Sequence, residues 1–193
     1  TVDYAATMFN IDSFDTRDAY NTDPLTLTVS AIDDDGDACG SSVIEAGVDV
    51  IQIFDSWAGL VPEEQISNYC YKPNLNLVEF CKKKKIPVIC FPKGIKKKYE
   101  DFVKIVKPDV INIDYNLDPF WARDNLGKIC IQGGMNPKIL FEENKKIVSE
   151  ASKYLEAFKD RPYIFNLGHG LLPQTNPTKI KNLIKFIKEK NKW

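Results

Sequence analysis

Short apolar runs and amphipathic segments alternate along residues 43–193. Five of the runs are rich in β-branched residues and are bounded by Gly, Pro or Asp, a pattern typical of buried strands. They are Val48–Phe54, Pro87–Phe91, Asp109–Ile113, Lys128–Ile131 and Tyr163–Asn166. Because continuous apolar runs of this length suit strands covered on both faces, the pattern predicts a parallel sheet built from right-handed β-α-β units.

Amphipathic segments follow these strands and predict helices. They are Pro62–Lys84, with a break near Pro73, and Lys97–Val106, Pro137–Phe158 and Pro177–Lys190. The expected apolar face of the third consists of Leu140, Ile147, Val148, Ala151 and Leu155. In the fourth, Asn176 is the expected N-cap and Pro177 the first helical residue.

Five strands leave two architectures open, because a closed (β/α)₈ barrel needs eight. The chain is either a small open α/β sheet or five-eighths of a barrel. Residues 1–42 do not supply the other three units, which would need on the order of 90 residues at ~30 for each unit.

Residues 1–42 form a segment of different composition, with nine aspartates, one arginine and no lysine. Within it, Thr26–Ile32 is a possible strand and the rest is expected to be loop. We therefore expect two regions, an acidic segment at 1–42 and an α/β region at 43–193. The charge is also uneven along the chain, with −11 on residues 1–60 and +10 on residues 61–193.

The lysine-rich runs do not indicate a nucleic-acid surface. Lys82–Lys85 and Lys96–Lys98 lack interleaved aromatic residues for base stacking, so solvated helix faces are the better interpretation. No apolar stretch approaches the ~18 residues that a membrane helix needs. We expect neither nucleic acid nor membrane as a partner.

The chain has five cysteines, with no C-x-x-C pair, and one histidine. An odd number of unclustered thiols argues against a disulfide framework and favours a reducing cytoplasmic location. A single histidine without clustered thiols also argues against zinc, so we expect no metal site.

Candidate chemistry lies where strands end, because parallel α/β enzymes bind their ligands at the carboxyl ends of strands. Ser56 follows the first strand without a G-x-S-x-G elbow, so a hydroxyl that donates to a substrate carboxylate is a better interpretation than a nucleophile. Asp114 either faces a ligand or bonds a backbone amide. Gly133-Gly134 is weak evidence for an anion site. His169 lies between two glycines, as in a turn lined by a ligand.

Four segments resemble uroporphyrinogen decarboxylases, in the family's order and at similar separations. The long ones are V-I-E-A-G-V-D-V-I-Q-I-F-D-S-W-A-G at Val43–Gly59 and Y-I-F-N-L-G-H-G-L-L-P-Q-T-N-P at Tyr163–Pro177. The family's Q-G-N-L-D-P turn corresponds to Gln132–Pro137, with Gly134, Met135 and Asn136 as variations. The family's L-D-W strand end corresponds to Ile113-Asp114-Tyr115. The resemblance covers residues 43–193.

This resemblance implies the last five β/α units of a (β/α)₈ TIM barrel that pairs as a homodimer. It implies removal of CO₂ from the four acetate side chains of uroporphyrinogen III to give coproporphyrinogen III, in haem biosynthesis, with no cofactor. Ser56 matches a family serine that contacts the substrate, and His169 a family histidine. Both are implied to bind substrate carboxylates. Phe54 stands where the family has an apolar residue at the same strand end.

The family's N-terminal R-Q-A-G-R motif and its substrate-facing aspartate have no counterpart here, so we assign no catalytic residue. We expect a truncated or spliced reading, or a diverged protein. The strand at Val48–Phe54 would then have an open apolar edge. We therefore expect the chain to have marginal stability and negligible decarboxylase activity. The alternatives are a non-catalytic tetrapyrrole-binding or interaction module, and a corrinoid-linked methyltransferase of the same superfamily.

Overall fold

The computed structural model describes residues 26–29, 44 and 47–190. The rest of the acidic segment, for which we predicted loop, lies outside the described residues. The chain divides into two compact units between Asn112 and Ile113, and each is described by itself. The boundary that composition places after residue 42 stays a prediction.

Parallel strands joined by helices build the first unit. Strands β1 (Thr26–Val29), β2 (Val50–Asp55), β3 (Val88–Pro92) and β4 (Val110–Ile113) follow in chain order, and the last residue of β4 begins the second unit. Helix α1 (Lys72–Lys83) joins β2 to β3, and helix α2 (Tyr99–Val106) joins β3 to β4. The pairing is parallel throughout, with Ile51 opposite Val88 and Ile89 opposite Val110.

The second unit repeats the same alternation. Helix α3 (Pro119–Asn125) precedes strand β5 (Cys130–Gly133), helix α4 (Asn144–Ala157) joins β5 to β6 (Tyr163–Ile164), and helix α5 (Pro177–Lys190) follows. Strands β5 and β6 are parallel, with Ile131 opposite Tyr163. The five strands predicted over residues 43–193 are all present. The Asn176 side chain accepts a hydrogen bond from the Thr178 amide at 2.9 Å, which confirms the predicted cap of α5.

The prediction of an open edge at the first apolar strand is wrong. The backbone of β1 pairs in parallel with β2, from Thr26 opposite Val50 to Val29 opposite Ile53. The Thr-Leu-Thr-Val sequence of β1 has the β-branched character that favours strands, although this local preference does not state which strand β1 joins. Pairing with β1 occupies the backbone groups along that edge of β2.

The break predicted near Pro73 takes the form of a π-helical stretch over Ser67–Tyr71, which runs directly into α1 with Pro73 as its second residue. One detail of the helices differs from the prediction. Helix α4 is rotated from the expected face, so that Tyr154 is buried while Val148 and Leu155 are half-buried.

Candidate functional site

The end of β2 places an apolar ring beside an exposed hydroxyl. Phe54 is half-buried, and its ring meets that of Phe91 edge to face, with centroids 5.6 Å apart and planes at 90°. The two rings lie on paired residues of β2 and β3. Ser56 lies in the turn that follows and is exposed. The structure therefore brings two of the three predicted site residues to one strand end.

Asp55 anchors the turn that carries Ser56. Its carboxylate accepts a hydrogen bond from the Asn74 amide of α1 at 3.3 Å. Burial raises the pKa of Asp55, while hydrogen bonds from Cys70, Asn74 and the backbone of Ala58 and Trp57 act in the opposite direction. Because a half-buried carboxylate with this many donors fixes its surroundings, Asp55 holds the turn.

The loops after β2 and β3 touch backbone to backbone. The Gly59 amide donates to the Lys93 carbonyl at 2.8 Å, and the Lys93 amide donates to the Asp55 carbonyl at 3.1 Å. A Cβ atom at Gly59 would lie 2.7 Å from the carbonyl carbon of Gly94, so only glycine fits there. This contact brings Lys93, a half-buried cation, to the strand edge that carries Ser56. The motifs in the sequence did not single out Lys93 as a site residue, although its position directly after a predicted strand was a usable signal.

In the second unit, His169 is exposed in the loop after β6. The backbone just before it is fixed to the loop after β5. Leu167 forms a parallel bridge with Met135, and the Gly168 amide donates to the Met135 carbonyl at 2.8 Å. The imidazole therefore extends from a backbone whose position is set by a neighbouring strand end.

Gly168 also packs against the backbone that follows β4. A Cβ atom there would lie 2.4 Å from the Tyr115 nitrogen and 2.9 Å from the Asp114 carbonyl carbon. Real Cβ atoms do not approach backbone so closely, so this position requires glycine. Asp114 is buried, and its carboxylate accepts a hydrogen bond from the Asn116 amide at 2.8 Å. Of the two interpretations of Asp114, the structure supports the backbone bond.

The Gly133-Gly134 turn shows no sign of an anion site. Both residues have positive φ, 81° and 102°. Their carbonyls accept hydrogen bonds from two tyrosine hydroxyls, Tyr163 on Gly133 at 2.8 Å and Tyr154 on Gly134 at 2.7 Å. The Asn136 side chain accepts from the Lys138 amide and caps the 3₁₀ turn Pro137–Phe141. These residues shape the loop that supports His169.

A comparison with known families adds to this geometry. The family model described as uroporphyrinogen decarboxylase (URO-D) matches residues 38–190.

The chain belongs to the uroporphyrinogen decarboxylase family.

Curated relatives in this family are similar over the same region. The uroporphyrinogen decarboxylase of Orientia tsutsugamushi (strain Boryong) is 38% identical over 148 residues, which cover 75% of this chain and 43% of the relative. That of Cereibacter sphaeroides is 33% identical over 154 residues, which cover 78% of this chain and 45% of the relative. The chain thus spans less than half the length of these uroporphyrinogen decarboxylases.

A solved methyltransferase from Methanosarcina mazei has a similar fold. The TM-score is 0.63 at 17% identity, and the match covers 78% of this chain and 44% of the methyltransferase. At this identity the likeness shows the fold alone, so it does not favour the methyltransferase alternative. Together with the family match, it confirms the predicted fold class, α/β with the last five units of a partial (β/α)₈ barrel.

Two further findings concern ligands and membranes. Within residues 47–190 and the few others that the structure describes, no three His, Cys, Asp or Glu side chains are placed to hold a metal ion. None of the helices in that same part of the chain has the length and apolar character to span a membrane.

Proposed function

We propose that this uroporphyrinogen decarboxylase family member binds uroporphyrinogen through Ser56 and His169. The observation that carries the proposal is their position. Each residue lies in the loop that follows the carboxyl end of a parallel strand, within a region that the family model matches. Ligands of α/β folds bind at this edge of the sheet.

The side chains at these strand ends fit a tetrapyrrole that carries eight carboxylates. A serine hydroxyl and an imidazole N–H both donate hydrogen bonds, and bonds to a charged acceptor are shorter and stronger than neutral ones. The half-buried ring of Phe54, packed edge to face on Phe91, adds an apolar surface for the face of a pyrrole ring. Lys93 brings a positive charge to the same edge as Ser56.

The proposed reaction is decarboxylation of the acetate side chains without a cofactor. Protonation of a pyrrole carbon gives a cationic ring, which accepts the electron pair as the bond to CO₂ breaks. A proton then adds to the side-chain carbon and leaves a methyl group, and loss of the ring proton restores the pyrrole. The protein has to bind the carboxylates and stabilise the cation.

Turnover by the 193-residue chain is a separate question from binding. Its arginines are Arg17, Arg123 and Arg161, and none lies in an R-Q-A-G-R motif. The Arg161 guanidinium donates to the carbonyls of Arg123 and Gly127, and that of Arg123 pairs with Asp124 at 2.7 Å. Since no arginine of this 193-residue chain lies in that motif, we expect the chain on its own to bind a tetrapyrrole with negligible decarboxylation.

Two assays on the same protein test the proposal. Fluorescence titration with uroporphyrin, the oxidised octacarboxylate form, measures binding. Anaerobic incubation with uroporphyrinogen, followed by chromatography of the products, measures turnover. Ser56→Ala should weaken binding about tenfold or more, since a hydrogen bond to a charged group contributes ~1.5–3 kcal/mol. Ser152→Ala is the matched control, because that hydroxyl bonds the Val148 carbonyl of α4. Equal affinities of the two variants would contradict the proposal.

We further propose a homodimer in the cytoplasm, as the family resemblance implies. The loop that carries Ser56 continues into Trp57 and Leu60, whose side chains are each 74% exposed. Contiguous exposed apolar patches mark interaction surfaces, and we assign these two side chains to one. Light scattering coupled to size exclusion should give about twice the monomer mass, and Trp57→Lys should lower it. A monomer at all concentrations would argue against the dimer.

A further inference from the structure

Gly134 lies at a position where the structure leaves no room for a side chain. A Cβ atom on Gly134 would lie 2.6 Å from the Cε1 atom of Tyr154 and 3.1 Å from the Cδ1 atom of Ile113. The ring of Tyr154, from α4, thus occupies the space that a side chain on residue 134 would enter. Glycine at this position and the tyrosine therefore fit each other.

Tyr154 does more than fill this space. Its hydroxyl donates to the Gly134 carbonyl at 2.7 Å, and the side chain is almost fully buried, with 3% exposed. Burial raises the pKa of the phenol, so the hydroxyl keeps its proton and remains a donor at neutral pH. Tyr163 binds the preceding carbonyl, that of Gly133, at 2.8 Å. The carbonyl groups of two successive glycines with positive φ are therefore each bound by a tyrosine hydroxyl.

The next residue carries this constraint to the histidine loop. Met135 follows Gly134 directly, bridges to Leu167, and accepts the Gly168 amide at 2.8 Å. Gly168 precedes His169. A continuous series of contacts therefore runs from the Tyr154 hydroxyl through the Gly134–Met135 backbone to the peptide that bears the imidazole.

We propose that Tyr154 is a positioning residue for His169. By holding the Gly134 carbonyl, it fixes the Met135 carbonyl, which in turn sets the Gly168–His169 backbone at the carboxyl ends of the strands. Its consequence for ligand affinity rests on the proposed carboxylate-binding role of His169. A tyrosine that only fills the core would act on stability without changing the environment of the imidazole.

Because His169 is the only histidine in the sequence, its resonances need no assignment by mutation. Protein labelled with ¹³C-histidine gives one imidazole Cε1–Hε1 peak, recorded for wild type, Tyr154→Phe and Tyr71→Phe. Tyr71 is the matched control, since its hydroxyl also donates to a backbone carbonyl, that of Lys98, in the other unit. Urea unfolding midpoints of both variants identify any general loss of structure.

The expected result is a shifted peak in Tyr154→Phe and an unchanged peak in Tyr71→Phe. Tyr163→Phe should move the peak in the same direction by a smaller amount, which keeps the test available if Tyr154→Phe does not fold. Uroporphyrin affinity should fall roughly 2- to 30-fold in Tyr154→Phe, the range that mutations along contact networks produce. An unshifted peak in a folded Tyr154→Phe overturns the positioning role. If the peak shifts but wild type does not bind uroporphyrin, the proposed function fails and the positioning role stands.

Discussion

Replacing Gly168 by alanine is the sharpest test of how the histidine loop is held. One added methyl group at this residue would meet three backbone atoms, the Tyr115 nitrogen at 2.4 Å, the Asp114 carbonyl carbon at 2.9 Å and the Tyr115 Cα at 3.0 Å. None of these atoms can move by a change of rotamer. Either the loop after β6 or the backbone after β4 has to shift.

The size of the effect follows from these distances. Ordinary carbon contacts begin near ~3.5 Å, so the closest pair must separate by about 1 Å. Inserting a methyl group into a packed site typically costs ~1–3 kcal/mol. Gly170→Ala, on the other side of His169, is the matched control, because a Cβ there meets nothing within 4 Å. Where the backbone is compatible, Gly→Ala stabilises by ~0.4–1 kcal/mol through the unfolded chain.

Urea unfolding followed by circular dichroism measures both variants. The free energy of unfolding should be lower in Gly168→Ala than in Gly170→Ala by about 1.4 kcal/mol or more. Uroporphyrin binding should also weaken more in Gly168→Ala, because the displaced backbone carries the imidazole. Equal unfolding free energies for the two variants would show that the loop after β6 does not pack against Asp114 and Tyr115 as described.

Three other perturbations test the first unit and the thiols. Gly59→Ala should lower the free energy of unfolding in urea by ~1–3 kcal/mol, because the new Cβ would lie 2.7 Å from the Gly94 backbone. An unchanged free energy of unfolding would refute the contact between the loops after β2 and β3. Burial raises the pKa of Asp55, so its contribution to stability is greatest below its unfolded pKa of about 3.8 and is lost as pH rises through the higher folded value. Wild type should therefore lose stability relative to Asp55→Asn between acid and neutral pH, and a parallel pH dependence would contradict this. In a Cys39→Ser background, Cys90 should react with a thiol reagent more slowly than Cys130, since Cys90 is fully buried and burial raises the pKa of its thiol. Mass spectrometry of the labelled protein measures the two reaction rates. Equal rates would contradict the burial of Cys90.

Much of the strand order could be predicted because apolar runs report burial directly. Each of the five predicted runs contains an observed strand or overlaps it within about two residues of its ends. Helix α3 was missed although its start had a signal, Asp118 followed by Pro119. The Asp118 carboxylate accepts from the amides of Phe120 and Trp121 at 3.0 Å, as an N-cap does. The pairing of β1 with β2 was also missed, because nothing local states which strand covers an edge.

The candidate site could be predicted only in part. Motifs located Ser56 and His169 at strand ends, because glycines and a strand boundary surround them in the sequence. They could not reveal why the glycine before His169 is needed, since the clash is with Tyr115, more than fifty residues away. The Tyr154 hydrogen bond to Gly134 depends on the rotation of α4 about its axis. Helical periodicity fixes that rotation only roughly, so the expected face did not include Tyr154.

Calorimetric titration of uroporphyrin into wild type, Ser56→Ala, His169→Ala and the double variant tests the central claim most directly. If both side chains bind uroporphyrin carboxylates, each single variant binds uroporphyrin about tenfold or more weakly than wild type. The double variant should then bind more weakly than either. Affinity that is unchanged by one of the two substitutions would contradict the account.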